Sequence, residues 1–124
     1  MSNLLPLHAG TYNGTTIVLD PTVIEGVTVY PYGWLPPWIP SWFLLQRKDD
    51  GVYLAGEYGH GMYRHPILVV PEPARDGMAW DADPGGGVSV RHCSVVFKLG
   101  YYYASCKDDY LGLIEWALRP GGEA

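Results

Sequence analysis

The dispersed glycines and prolines constrain the fold of this chain more than any other feature of its sequence. The 124 residues include 16 Gly and 11 Pro, which separate short apolar runs and show no fixed period. Both residues mark turns, and proline also interrupts helices because it has no backbone N–H group. We therefore predict one mainly β domain over residues 1–124, built as a small antiparallel sheet, a sandwich or a barrel, with an α+β fold as the alternative.

Short runs of β-branched or alternating apolar residues predict the strands, at 15–19, 27–30 (closed by Pro31), 42–48, 52–58, 67–70, 88–99 and 101–106. The Asp49-Asp50-Gly51 turn predicts a hairpin between two of them, because glycine adopts the positive φ of a tight turn. Gly100 predicts a second hairpin. Period-two alternation in its first strand directs the more apolar set of side chains toward the core. That set is Arg91, Cys93, Val95, Phe97 and Leu99.

The last part of the sequence predicts one short C-terminal helix over residues 110–118. An acidic pair at 108–109 suits the start of a helix, and Leu111, Ile114 and Leu118 then fall on one helical face. A final strand over residues 113–118 is the alternative. The segments 31–41 and 71–87 are rich in proline and glycine, and we predict that both are irregular.

The charge pattern disfavours two classes of partner. Net charge is −5, and the eight Lys and Arg residues are scattered along the sequence. Nucleic-acid binding and polybasic attachment to a membrane both need clustered cations. Charged residues make up only 17% of the chain, against about 25% in average soluble proteins, so we expect a surface that exposes some apolar groups. No run of about 20 apolar residues predicts a membrane span.

The N-terminal residues bear on the location of the protein, and the two cysteines bear on its stabilisation. Residues 1–6 lack the basic and apolar regions of a signal peptide, so we expect a cytoplasmic protein or one assembled into a virion. Cys93 and Cys106 are too few for a disulfide framework. We interpret them as two buried free thiols, with a bridge across the second hairpin as the alternative.

The most unusual segment combines tryptophan with proline. Trp34, Trp38 and Trp42 alternate with four prolines, which favours a rigid extended backbone, and rigid tryptophans are enriched at binding hot spots. The alternative is that these rings cover the core as a lid. Successive residues of the Tyr101-Tyr102-Tyr103 run point to opposite faces of a strand, so at least one face displays phenol groups, although ordinary cross-strand packing of these rings is the favoured interpretation. The predicted binding residues are Tyr32, Trp34, Trp38, Trp42, Trp80 and Tyr102.

The chemically reactive residues form no recognisable catalytic or metal-binding motif. His60 and His65 have a spacing found in zinc sites, but no second pair completes such a site. Asp81 and Asp83 begin a calcium-loop pattern whose twelfth position is His92 rather than Glu. We therefore expect no metal and no cofactor, and the sequence favours a non-enzymatic protein.

Two short motifs resemble those of known enzyme families. His92-Cys93-Ser94 resembles one half of the paired motif of 2H phosphoesterases. His8-Ala9-Gly10-Thr11 and the segment 51–55 are similar to elements of ADP-ribosyltransferases, with Ala9 inserted between the His and the Gly. That second resemblance implies that His8 and Tyr53 hold a nicotinamide dinucleotide and that Glu115 is the late acidic residue.

These observations together favour a non-enzymatic protein–protein interaction or assembly protein that binds a protein partner or itself. Examples are a small structural component of a phage particle and an inhibitor or immunity-type protein of a bacterium or phage. The alternatives are a module that binds a small ligand or carbohydrate on a Trp/Tyr surface, and a small enzyme similar to ADP-ribosyltransferases.

Overall fold

A computed structural model of the protein describes residues 10–12, 16–18, 20–34, 43–57, 61–108 and 113–118, with backbone alone for 10–12, 16–18, 34, 113 and 114. These residues form two antiparallel sheets and include no helix, which confirms the mainly β prediction. The larger sheet has the strand order β1-β2-β4-β5-β6-β7, and β3 pairs with β4. Its strands are β1 (Gly10–Tyr12), β2 (Thr16–Val18), β3 (Thr22–Ile24), β4 (Val27–Trp34), β5 (Phe43–Lys48), β6 (Gly51–Glu57) and β7 (Gly61–Pro71).

The second sheet has four strands in the order β11-β10-β9-β8. They are β8 (Ala79–Ala82), β9 (Arg91–Lys98), β10 (Tyr101–Lys107) and β11 (Leu113–Leu118). The two sheets share one hydrophobic core, so they pack face to face. The first sheet contributes Tyr32, Leu45, Val52, Leu54, Ile67, Val69 and Val70, and the second contributes Ala82, Cys93, Val95, Ala104, Cys106, Trp116 and Leu118.

The predicted hairpin at Asp49-Asp50-Gly51 is confirmed as β5 and β6, whose ends pair Lys48 with Gly51. Gly51 has φ 145°, and a Cβ atom at this position would overlap the carbonyl oxygen of Val70. A side chain here would therefore push β7 away from β6. Glycine is required by the close approach of the neighbouring strand as well as by the turn.

The strand predicted to end at Pro31 instead continues to Trp34. On one side of β4, the partner changes from β3, which pairs up to Val29, to β2, which pairs from Tyr32 onward. Pro31 lies at this change of partner, where the ladder is interrupted. Proline has no N–H group to donate to a ladder, which is consistent with its position at such a break.

The predicted C-terminal helix is wrong, and the alternative strand over Leu113–Leu118 is the observed element. β11 pairs with β10 along its whole length. Trp116 and Leu118 are buried, whereas Glu115 and Ala117, which alternate with them, are exposed. This alternation with period two matches a strand that covers a core on one face. It prevails over the helical spacing of Leu111, Ile114 and Leu118, of which Leu111 lies outside the described residues.

Two further expectations need correction. The segment 71–87, predicted to be irregular, contains β8, which pairs with β9. Cys93 and Cys106, predicted to be free thiols, form a disulfide. The two cysteines are directly opposite each other in the register of β9 and β10, with Cα atoms 4.1 Å apart, so their side chains meet on the core face.

The predicted pairing of β9 with β10 is confirmed, but only the first part of β9 follows the predicted core face. Arg91, Cys93 and Val95 are buried, as the alternation required. Phe97 is 42% exposed and Leu99 is 89% exposed. The hairpin therefore extends past the edge of the core, and Phe97 and Leu99 remain exposed.

Candidate functional site

The outer face of the second sheet is the side turned away from the core, and its register orders the side chains into rows. Directly opposed residues of neighbouring antiparallel strands point to the same side. Two rows are mainly polar and two combine aliphatic, aromatic and lysine side chains. The polar rows hold Asp81, His92 and Lys107, then Ala79, Ser94, Ser105 and Glu115. The other rows hold Val96, Tyr103 and Ala117, then Lys98 and Tyr101.

The polar rows are held by hydrogen bonds between neighbouring strands. His92 Nδ1 lies 2.7 Å from Asp81 Oδ1, and the Ser105 hydroxyl donates to Glu115 Oε2 at 2.6 Å. Both pairs lie on an exposed surface, so solvent screens them and each contributes little to stability. They leave this half of the outer face polar and well solvated.

The aromatic rows form a ladder that leads to the end of the hairpin. The rings of Tyr101 and Tyr103 lie 6.4 Å apart, and Lys98 Nζ is 5.1 Å from the centre of the Tyr103 ring. Val96 stands opposite Tyr103 and is 45% exposed. A cation over an aromatic ring restrains both groups, so this ladder is partly ordered before any partner binds.

We call residues 96–103 the hairpin tip, and it carries exposed apolar groups on both of its faces. Val96 lies on the outer face, and Phe97 lies on the opposite face against Tyr102, with ring centres 4.7 Å apart. Leu99 occupies the turn itself. The Phe97 backbone N–H donates to Asp76 Oδ1 at 2.9 Å, which anchors the tip to the loop before β8. The tip is therefore a fixed apolar projection.

The turn at the tip has an unusual residue for its geometry. Leu99 and Gly100 form a two-residue turn in which both φ values are positive, 53° and 84°, as in a type I′ turn. Asparagine, aspartate or glycine usually occupies the position of Leu99, because other side chains clash in the left-handed region. The chain thus places a large apolar side chain where the backbone disfavours it and where the core cannot bury it.

A scan against protein-family models, a search of curated proteins and a search of solved structures each give no match to this chain. The functional argument therefore depends on the geometry of this molecule.

The described residues place the predicted binding residues in different parts of the molecule. Tyr32 is buried and packs edge-on against Trp116, with ring centres 6.0 Å apart. Trp80 is half-buried, and its indole N–H donates to the carbonyl oxygen of Leu68 at 3.0 Å. Tyr102 lies within the tip, where it contacts Phe97 and packs against the core. Trp34 is the last residue of β4, and Trp38 and Trp42 lie outside the described residues, so a contact by the Trp-Pro segment stays a prediction.

The residues of the two enzyme resemblances are distributed over both sheets. Tyr53 on β6 donates its hydroxyl to Asp50 at 2.8 Å, and burial together with this acceptor raises the pKa of Tyr53 to about 12. Glu115 is on β11 in the other sheet and accepts from Ser105. His8 lies outside the described residues. His92 is bonded to Asp81 on an open sheet surface.

Within the described ranges, no group of three or more His, Cys, Asp or Glu side chains is arranged to hold a metal ion. Over the same residues, no helix has the length and apolar character needed to cross a bilayer.

Sequence reasoning missed the apolar residues of the tip because it assigned Phe97 and Leu99 to the core. A signal was available in the pattern. Leu99 precedes Gly100 in a two-residue hairpin loop, and a core side chain is not expected in such a loop. Three consecutive tyrosines follow it at once, and tyrosine is a residue type enriched at interfaces.

Proposed function

We propose that this chain is a non-enzymatic protein–protein interaction or assembly protein and that the hairpin tip is its principal contact. One observation carries the proposal: Val96, Phe97 and Leu99 expose apolar surface on both faces and at the turn of one projecting hairpin. Single exposed apolar residues are ordinary on protein surfaces, whereas a contiguous group marks an interaction site.

The tip has the composition of an interface centre. Tyrosines and aliphatic groups dominate it, Lys98 is its one charged residue, and charged groups are generally depleted in the centre of interfaces. Full burial of a Val, Leu or Phe side chain contributes about 1.5–3 kcal/mol. The tip is held by the Asp76 contact and the ring contacts, so little ordering cost opposes binding.

The polar rows of the outer face suit the rim of the same contact. Asp81, His92, Ser105 and Glu115 are exposed or half-buried and lie on the same face as Val96. Polar rims around an apolar centre are the usual arrangement of protein interfaces. An assembly role in a particle and an inhibitor or immunity-type role each need one stable protein contact, so the tip suits either role.

The chain offers a matched pair of valines for a direct test. Val96 is 45% exposed in the tip, and Val23 is 66% exposed on β3 of the other sheet. Val96→Ser and Val23→Ser make the same chemical change in two exposed strands. We expect Val96→Ser to weaken partner binding by about tenfold or more, and Val23→Ser to leave it unchanged.

Binding is measured in two ways with each valine variant. Sedimentation of the purified protein detects self-association, and quantitative capture from the source lysate detects a different partner. Equal behaviour of the two variants in both measurements would contradict a contact at the tip. A wild-type protein that remains monomeric and enriches no protein over a blank would contradict the interaction function itself.

A further inference from the structure

A cleft of about 760 Å³ lies on the first sheet, beside the turn between β3 and β4. Its apolar walls include Val27, Met62 and Val88. Among the described residues, the polar groups that line it are Glu25, Glu57, Tyr63 and Arg64. This volume falls within the range of about 300–1,000 Å³ that is usual for small-molecule sites, and mixed apolar walls with a few polar groups are typical of them.

A chain of hydrogen bonds orients one carboxylate of the cleft. The Tyr63 hydroxyl donates to Glu57 Oε2 at 2.9 Å. The buried side chain of Arg91 on β9 hydrogen-bonds to the same hydroxyl from the other sheet. Burial and the Glu57 carboxylate raise the pKa of Tyr63, while Arg91 opposes the shift, so Tyr63 remains a neutral donor. Glu57 is thus a fixed acceptor in the wall of the cleft.

The described lining of the cleft carries the carboxylates of Glu25 and Glu57 and the guanidinium of Arg64, in a chain whose net charge is −5. The guanidinium of Arg91 lies behind Tyr63, outside this lining. Glycines form part of the lining, and a Cβ atom added at Gly61 or Gly86 would meet nothing within 4 Å. The space beside the carboxylates is therefore open to a ligand rather than filled by side chains.

We propose that this cleft binds a small organic cation, with its ammonium or guanidinium head on Glu57 and its apolar body against Val27, Met62 and Val88. The carboxylate supplies a charge-assisted hydrogen bond, and the apolar walls contact the body of the ligand. This binding activity is additional to the protein contact at the hairpin tip and does not depend on it.

The test uses three probes that share one apolar body and differ in the head group: 2-phenylethylamine, 2-phenylethanol and 3-phenylpropionate. Each is titrated into the labelled full-length protein, and binding is followed by NMR shifts of the Val27, Met62 and Val88 methyl groups. We expect the amine to bind with a Kd of about 1 mM or tighter, as suits a ligand of this size, and about tenfold more tightly than the carboxylate.

Three variants identify the group that recognises the head. Glu57→Gln should weaken binding of the amine by about fivefold or more and leave binding of the alcohol unchanged, because only the charge is removed. Tyr63→Phe should weaken binding of the amine to a lesser extent. It removes the hydrogen bond that orients Glu57 but leaves the charge of the carboxylate in place. Glu115→Gln, on the outer face of the other sheet, is the control and should change neither probe.

Several results would overturn the proposal. One is binding of the carboxylate as tight as that of the amine. Another is an equal loss of affinity for the amine and the alcohol in the Glu57→Gln variant, which would mean that the charge is not recognised. Methyl shifts outside the cleft, or no shift up to about 10 mM amine, would also overturn it. Unchanged methyl spectra of the free variants show that they remain folded, so a loss of binding is not a loss of structure.

Discussion

Two hairpins of this protein turn with the same backbone geometry but carry different side chains at the turn. In the hairpin of β3 and β4, Glu25 and Gly26 have φ values of 51° and 80°, and in that of β9 and β10, Leu99 and Gly100 have 53° and 84°. A glutamate at this position is well solvated, so its free-energy cost is limited to the local backbone strain. Leu99 bears the same strain and also exposes 89% of an apolar side chain. The backbone does not require leucine, and this difference supports the proposed contact of the hairpin tip with a partner.

The hairpin of β9 and β10 also differs along its own length. Its base supplies Cys93, Val95, Ala104 and Cys106 to the core, and all four are buried. Of its tip, Tyr102 is partly buried against the core, whereas Val96, Phe97 and Leu99 are exposed. Changes at the base should therefore alter stability, and changes at the tip should alter binding.

The largest stability loss is expected from Trp116→Ala. Trp116 on β11 is buried against the base of the hairpin and packs on Tyr32, so its removal should lower the free energy of unfolding by about 3–5 kcal/mol. Urea unfolding measures this change. Trp116→Phe should cost much less, because Nε1 has no hydrogen-bond partner among the described residues. A loss below about 1 kcal/mol for Trp116→Ala would break the distinction between base and tip.

Removal of the disulfide should have the next largest effect. Cys93 and Cys106 are 13 residues apart in sequence, and replacing both by alanine should lower the free energy of unfolding by about 2–4 kcal/mol. The same measurement on the wild type in reductant is the control and should show a similar loss. If reductant leaves the urea midpoint of the wild type unchanged, the bridge does not stabilise the base of the hairpin.

A smaller effect is expected at alkaline pH, at the cleft beside the Glu25 turn. The pKa of Tyr63 is raised above its ordinary value of 10, so above that pH the unfolded chain loses this proton before the folded protein does. The contribution of this proton to the free energy of unfolding is therefore fully present below pH 10. It is lost as the pH rises toward the pKa of Tyr63 in the folded protein. Urea unfolding at about pH 8 and about pH 11 should show a shallower decline for Tyr63→Phe than for the wild type. Equal declines would contradict the shifted pKa.

The smallest stability change is expected at the two turns themselves. Leu99→Asn and Glu25→Asn both introduce the residue that tolerates this backbone best, so each should leave the free energy of unfolding unchanged or raise it by up to about 1 kcal/mol. Parallel urea curves of the two variants provide the measurement. A loss of more than about 1 kcal/mol for Leu99→Asn alone would mean that Leu99 stabilises the fold, and the comparison would fail.

Local sequence patterns predicted those parts of the fold in which one rule applied. The Asp49-Asp50-Gly51 turn and the alternation from Arg91 to Val95 have no strong competing interpretation, and both are confirmed. The C-terminal strand was ranked second because Leu111, Ile114 and Leu118 satisfy helical spacing. Only the pairing with β10, a contact between distant parts of the chain, decides between the two.

The candidate site was less predictable because it depends on where the core ends. Alternation predicts the face on which Phe97 lies but not that the opposing sheet stops short of it. The cleft was unpredictable for a similar reason, because Arg91 on β9 reaches Tyr63 on β7 through packing of the two sheets, although Glu57 and Tyr63 meet within one hairpin. The predicted contact residues Trp38 and Trp42 lie outside the described residues and stay a prediction.

The most direct test of the account is the amount of partner captured by Leu99→Asn beside Glu25→Asn. Both variants, and the wild type, are used as bait in the source lysate, and each captured protein, including unlabelled copies of this chain, is quantified. The account predicts a partner that wild type and Glu25→Asn retain equally and that Leu99→Asn loses by about tenfold or more, at undiminished stability. Equal capture by all three baits would contradict the claim that the hairpin tip is the contact of this protein.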